Sequence, residues 1–128
     1  MTTALENARA ALGQLEAFLS TPVIDDRDRA GVIQAFEFTF EAVWKLFKHV
    51  AETEGLEAQS PKRALVAAHR LGLIADEPVW LDMLRDRNLT SHVYHLTVAA
   101  SIFTAIEQHY VAALVDAVQR CAGALASD

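Results

Sequence analysis

VIQAFEFTFEAVWKLFKHV, residues Val32–Val50, decides the fold class. Ile33, Phe36, Phe40, Val43, Trp44, Phe47 and Val50 recur at spacings of three and four, the period of one helix face. Phe38 and Leu46 mark another side, so the helix is expected to be buried on more than one side, in a bundle or in an oligomer interface. The pattern extends the helix from about Arg29 to Glu54, and Gly55 is a natural terminator. Glu37, Glu41 and Lys45 follow one another at four-residue steps and read as a solvated or interface face rather than an acid/base pair.

The neighbouring segments repeat the helical period. Upstream, Leu5, Ala8, Leu12, Leu15 and Leu19 form one stripe over Thr3–Ser20. Thr21-Pro22 ends it, because proline disfavours helical geometry in the residue before it. Asp25, Asp26 and Asp28 then suit the start of the long helix. Downstream, Ser60-Pro61 reads as N-cap and first helical position of a helix that carries Leu65, Ala68 and Leu71 and stops at Gly72. Asp76-Glu77-Pro78 opens a fourth helix, with Trp80, Leu81, Leu84 and Met83 as its candidate core. Asn88-Leu89-Thr90-Ser91-His92 is rich in side chains that compete for backbone hydrogen bonds, so a break or kink is expected there. A last helix runs from about His95 to Ala124, with Val98, Ile102, Ile106, Ala113, Ala117 and Cys121 on its inner face. The expected fold is all-α, an up-and-down bundle of four long helices plus a short one, in one domain over residues 1–128.

Composition narrows the function classes. Half the residues are hydrophobic and only three prolines and five glycines interrupt them, which excludes a disordered or fibrous chain. The continuous apolar runs are a few residues long, short of the ~20 that span a membrane. No basic region and apolar segment of the signal-peptide type follows Met1. The lone Cys121 cannot form an intrachain disulfide, so a cytoplasmic location is expected. A net charge of −6 argues against non-specific binding to DNA or to anionic membrane, though a locally basic cleft for RNA is compatible with it.

The densest polar cluster is RDRNLTSHVYH, Arg85–His95, at the junction of the last two helices. Arginine presents a rigid fork of donors to phosphate, and histidine titrates near neutral pH. Arg87 and His92 together could cleave RNA without a metal, His92 moving a proton at the 2′-hydroxyl or leaving oxygen and Arg87 stabilising the charged phosphorane. One such pair is few for that job, and two copies at a two-fold axis would supply the second acid/base. The competing reading is structural: Arg87 pairs with an acid of the bundle and His92 caps a helix. Tyr94 is either a half-buried aromatic or, through its accessible phenol, the acceptor of a transferred group. His92 and His95 lack an evident third ligand and no HExxH or CxxC is present, so neither a metal site nor a cofactor is expected. Cys121 lies on an apolar stripe and reads as core rather than nucleophile.

With these residues in place, the chain resembles the nucleotidyltransferase substrate-binding protein family, within the HEPN superfamily of helical domains that includes HepT-type toxins. VIQAFEFTFEAVWKLFK at Val32–Lys48, SPKRALVAAHRLGLI at Ser60–Ile74 and WLDMLRDRNLTSHVY at Trp80–Tyr94 carry the resemblance over nearly the whole chain. The last holds the family signature of Arg, four residues, His, one residue, Tyr, at Arg87, His92 and Tyr94, with Asn88 next to the arginine. The resemblance implies a homodimer in which the motifs of two subunits face one cleft. It also implies a separately encoded minimal nucleotidyltransferase as partner. In the toxin–antitoxin branch, Arg87 and His92 would be the RNA-cleaving pair, Asn88 a supporting polar residue that helps bind substrate, and Tyr94 the acceptor of AMP that silences the toxin. The alternative it leaves is a non-catalytic substrate-binding module of a two-component nucleotidyltransferase. Family members usually carry acids after the tyrosine, whereas this chain reads His-Leu-Thr-Val-Ala-Ala, so its partner contact would differ.

Overall fold

Capping explains where the helices begin. Asp25, in extended conformation, accepts a hydrogen bond from the Asp28 N–H at 2.8 Å and starts the long helix slightly earlier than Arg29. Ser60 and Asp76 accept from the N–H groups of Arg63 and Val79, each at 3.3 Å. Gly55 and Gly72 take positive φ angles of 77° and 75°, the left-handed region that favours glycine after a helix end. A computed structural model of the chain describes residues 3–90 and 95–126. Among the described residues there are five helices and no strand: α1 (Thr3–Leu19), α2 (Asp26–Thr53), α3 (Pro61–Arg70), α4 (Glu77–Leu89) and α5 (Leu96–Ala126). The expected all-α bundle is what forms, with the ten-residue α3 as the short helix.

The centre of the bundle is α2, which packs against α1, α3 and both halves of α5, while α4 leans on α3 and the middle of α5. Of the face read from the sequence, Ile33, Phe36, Phe40, Val43, Phe47 and Val50 are inside, while Trp44 is half-buried at its margin. Trp80 of α4 closes that core, edge-on to Phe47 at 5.1 Å and tilted on Phe40 at 6.4 Å. Each such side chain contributes about 1.5–3 kcal/mol by leaving water.

Three expectations about the core are corrected. On the second side of α2 the bundle itself covers Leu46 but not Phe38, which is 58% exposed, so only part of that side is buried by the chain's own helices. Leu81 and Leu84 do not form the core of α4; the inward stripe is instead Trp80, Met83, Asp86 and Thr90, leaving Leu81 exposed and Leu84 half-buried. The cause is a polar pair of positions on the buried side of α4, which hides the stripe from any count of apolar residues. In α5, Tyr110 and Leu114 are buried and Ala113 is only half-buried. The physical reason is a turn of π-helix over Ile106–Tyr110, between α-helical Leu96–Ala105 and Val111–Ala126, which displaces the register of the stripe.

By length and composition α5 is apolar enough to cross a membrane, with a mean hydropathy of 1.3 over its best window. Uninterrupted apolar runs do not reveal this, because the apolar content of α5 is spread among alanines and small polar residues. In the bundle, Ala99, Ile102, Ile106, Leu114, Ala117 and Cys121 of this helix belong to the core. Burial pushes the Cys121 thiol up to about 12, because a thiolate is poorly solvated there. At pH 8 its thiolate is then about a thousandfold scarcer than that of an ordinary thiol. Native protein is expected to resist iodoacetamide at pH 8 and to be labelled fully in denaturant, which mass spectrometry of the intact chain reads directly.

Candidate functional site

The last turn of α4 carries Arg85, Asp86, Arg87 and Asn88, and helical geometry sends these neighbours in different directions. Arg85 and Asn88 face solvent, Asp86 is buried, and Arg87 is partly exposed towards α2. The Arg87 guanidinium places Nη2 3.5 Å from Glu41 Oε2. The same Glu41 oxygen accepts the Trp44 indole N–H at 3.0 Å, and its other oxygen lies 3.5 Å from Lys45 Nζ. Glu41 is therefore the acid of the bundle that Arg87 meets, as the structural reading of Arg87 anticipated. Both side chains remain more than a third exposed, so the pair orients Arg87 more than it stabilises the fold. A guanidinium has five N–H donors, and one ion pair leaves most of the fork available to an anion.

The turn is closed by Thr90. Its buried hydroxyl donates to the Arg87 carbonyl oxygen at 2.7 Å, satisfying one of the carbonyls that a helix end leaves open. The expected helix break follows: α4 ends at Leu89, and α5 begins at Leu96 with His95 as its N-cap residue. His92 and Tyr94 lie outside the described residues, in the segment 91–94 that joins these two ends.

On its buried side the same turn makes a contact that sequence reasoning passed over. Tyr110 Oη donates to Asp86 Oδ2 at 2.5 Å, and Arg85 Nε lies 3.5 Å from Asp86 Oδ1. The Tyr110 ring stacks on Phe36 with centroids 5.6 Å apart. Burial and the neighbouring Asp86 carboxylate raise the Tyr110 phenol well above its ordinary range, so it stays protonated and donating at any physiological pH. A signal was present in the sequence: a single tyrosine on the apolar stripe of α5 needs a buried acceptor. No group of three or more His, Cys, Asp or Glu side chains suited to hold a metal ion occurs among the described residues.

Comparison with known proteins identifies the family and the fold. The profile of the family described as nucleotidyltransferase substrate binding protein like matches residues 3–122. A Haemophilus influenzae protein named probable ribonuclease HepT is 32% identical over 94 residues, which is 70% of this chain and 64% of that protein. The chain thus spans somewhat less than two thirds of that relative's length. Two solved structures share the fold. One, from Thermus thermophilus, superposes with a TM-score of 0.81 at 34% identity, covering 89% of this chain and 98% of the other. The second is a Haemophilus influenzae structure described as revealing the fold of a substrate binding domain of a nucleotidyltransferase. It superposes with a TM-score of 0.77 at 28% identity, covering 92% of this chain and 98% of the other. With a family profile matched over almost its entire length, this chain belongs to the nucleotidyltransferase substrate-binding-protein-like family.

Proposed function

We propose that this protein is a metal-independent endoribonuclease toxin, held in check by a cognate minimal nucleotidyltransferase. The observation that carries the proposal is the placement of Arg87 at a helix break, oriented by Glu41 yet with its fork partly open to solvent, immediately before the segment that holds His92. The 2′-oxygen of the RNA attacks the adjacent phosphorus while His92 takes its proton, and the bond to the 5′-oxygen breaks as that oxygen gains a proton. Arg87 stabilises the extra negative charge on the phosphorane, and Asn88 supports the bound phosphate. The protein acts as a homodimer, in which a second copy of His92 serves as the acid.

Silencing follows from the same charge logic. The Tyr94 hydroxyl oxygen attacks the α-phosphorus of ATP and loses its proton to solvent, pyrophosphate leaves, and AMP remains on the tyrosine. The added anion repels RNA phosphates from Arg87 and His92.

The test is growth of a bacterial host on induction of the wild type and of His92→Ala, with soluble protein confirmed for both. Arrest by the wild type alone is expected. The net charge of −6 favours a second reading, a non-catalytic module that presents a substrate or itself to the nucleotidyltransferase. That reading gains if neither form arrests growth and the purified protein still forms a stable complex with the nucleotidyltransferase.

A further inference from the structure

The π-turn at Ile106–Tyr110 needs a reason, since a single i→i+5 turn inside an α-helix is rare and is commonly found where a side chain must be placed. Here Tyr110, the last residue of the turn, is 3% exposed and reaches Asp86 in α4. Its ring is held from the other side by Phe36 of α2. Asp86 is itself nine-tenths buried. As a source of stability a buried carboxylate is a poor choice, because an apolar side chain of similar volume would avoid the desolvation cost. As a source of orientation it is effective. Asp86 and Arg87 project about 100° apart around the helix, so tying Asp86 to α5 sets the direction in which Arg87 leaves α4. Arg87 meets Glu41 of α2 on that other side, and Thr90 closes the turn between them.

We propose that Tyr110 and Asp86 form a positioning pair that fixes the rotation of the last turn of α4 and thereby aims Arg87 at its phosphate ligand. The identity of that ligand as an RNA phosphate rests on the ribonuclease reading above; the clamp itself does not.

Tyr110→Phe removes one donor and keeps the ring and its stacking. Two measurements on the full-length protein test the pair, with Leu12→Ala in α1 as a core variant remote from α4. Amide hydrogen exchange at Arg87–Thr90 is expected to accelerate about tenfold in Tyr110→Phe, and not selectively in Leu12→Ala. RNA cleavage by Tyr110→Phe is expected to lose about 10- to 100-fold in kcat with little change in KM, the signature of a misaligned group. The double variant Tyr110→Phe/Asp86→Leu separates alignment from stability. Making both positions apolar should recover Tm, because no buried polar group is left unpaired, while kcat stays low. Unchanged exchange at Arg87–Thr90, or full recovery of kcat together with Tm, would overturn the pair. If the wild type cleaves no RNA, the ribonuclease reading fails on its own, and the exchange measurement still decides the clamp.

Discussion

Arg87→Ala is expected to lower RNA cleavage by about 10²–10³-fold, the usual cost of deleting one preorganised donor to a developing oxyanion. In the proposed mechanism the loss should fall on kcat, because the charge assigned to Arg87 is largest on the phosphorane and not on the ground-state diester. Arg87→Lys should recover only part of it. An ammonium keeps the charge but loses the planar fork that contacts two phosphate oxygens at once. Stability should change little, since the Arg87–Glu41 pair is well exposed and such pairs contribute about 0–1 kcal/mol. A thermal melt and a sizing measurement on the same sample establish that the variant is folded and in its native oligomeric state. Cleavage retained within about threefold would remove Arg87 from the chemistry and leave it a helix-end ion pair. Cleavage assays in the presence of EDTA complete the test, because this mechanism draws every proton and charge from side chains.

The largest effect on folding is expected at Trp80. It is 1% exposed and touches both Phe40 and Phe47, so it ties α4 to the central helix. Trp80→Ala removes that contact and opens a cavity that rigid helices cannot close, at a cost of about 3–5 kcal/mol. For a domain of this size that corresponds to a fall in Tm of roughly 10–20 °C. Differential scanning calorimetry reads it directly. Trp80→Phe, which keeps an aromatic ring facing Phe47, should lose much less. The position also bears on the proposed function, because α4 carries Arg87 and reaches the core of the bundle through Trp80 and Met83. A Trp80→Ala protein that melts within about 2 °C of the wild type would mean that α4 is held by its polar contacts instead, contrary to the packing argument.

How much of this was legible in the sequence depended on which force acts at each element. The helices of α1 and α2 were readable because their burial is driven by apolar side chains alone, and a period of 3.6 residues is visible in one dimension. Helix starts and ends were readable for a similar reason: Asp25, Ser60 and Asp76 accept from N–H groups three residues on, and Gly55 and Gly72 act on their own backbone after a helix end. The motif Arg87, His92 and Tyr94 was readable as a spacing and through family resemblance, and its Arg87 end is now placed in three dimensions.

Tertiary structure alone decided what lies against that end. Glu41 and Arg87 are 46 positions apart in the chain and Tyr110 and Asp86 are 24 apart, so no local periodicity links them. The inward stripe of α4 was misread at Leu81 for the same reason. Asp86 and Thr90 occupy buried positions only because Tyr110 and the open carbonyl of Arg87 satisfy them, and a polar residue in sequence carries no sign of the partner that will meet it. The π-turn over Ile106–Tyr110 is likewise invisible in the residue pattern of α5, although Tyr110 itself falls four residues after Ile106 on the apolar stripe. Sequence by itself thus determined which segments are helical and where they start, since those outcomes follow from nearest-neighbour backbone chemistry and apolar period. Which polar groups face each other across the bundle was decided only when the helices packed, because a buried polar contact is a property of two surfaces and not of either one.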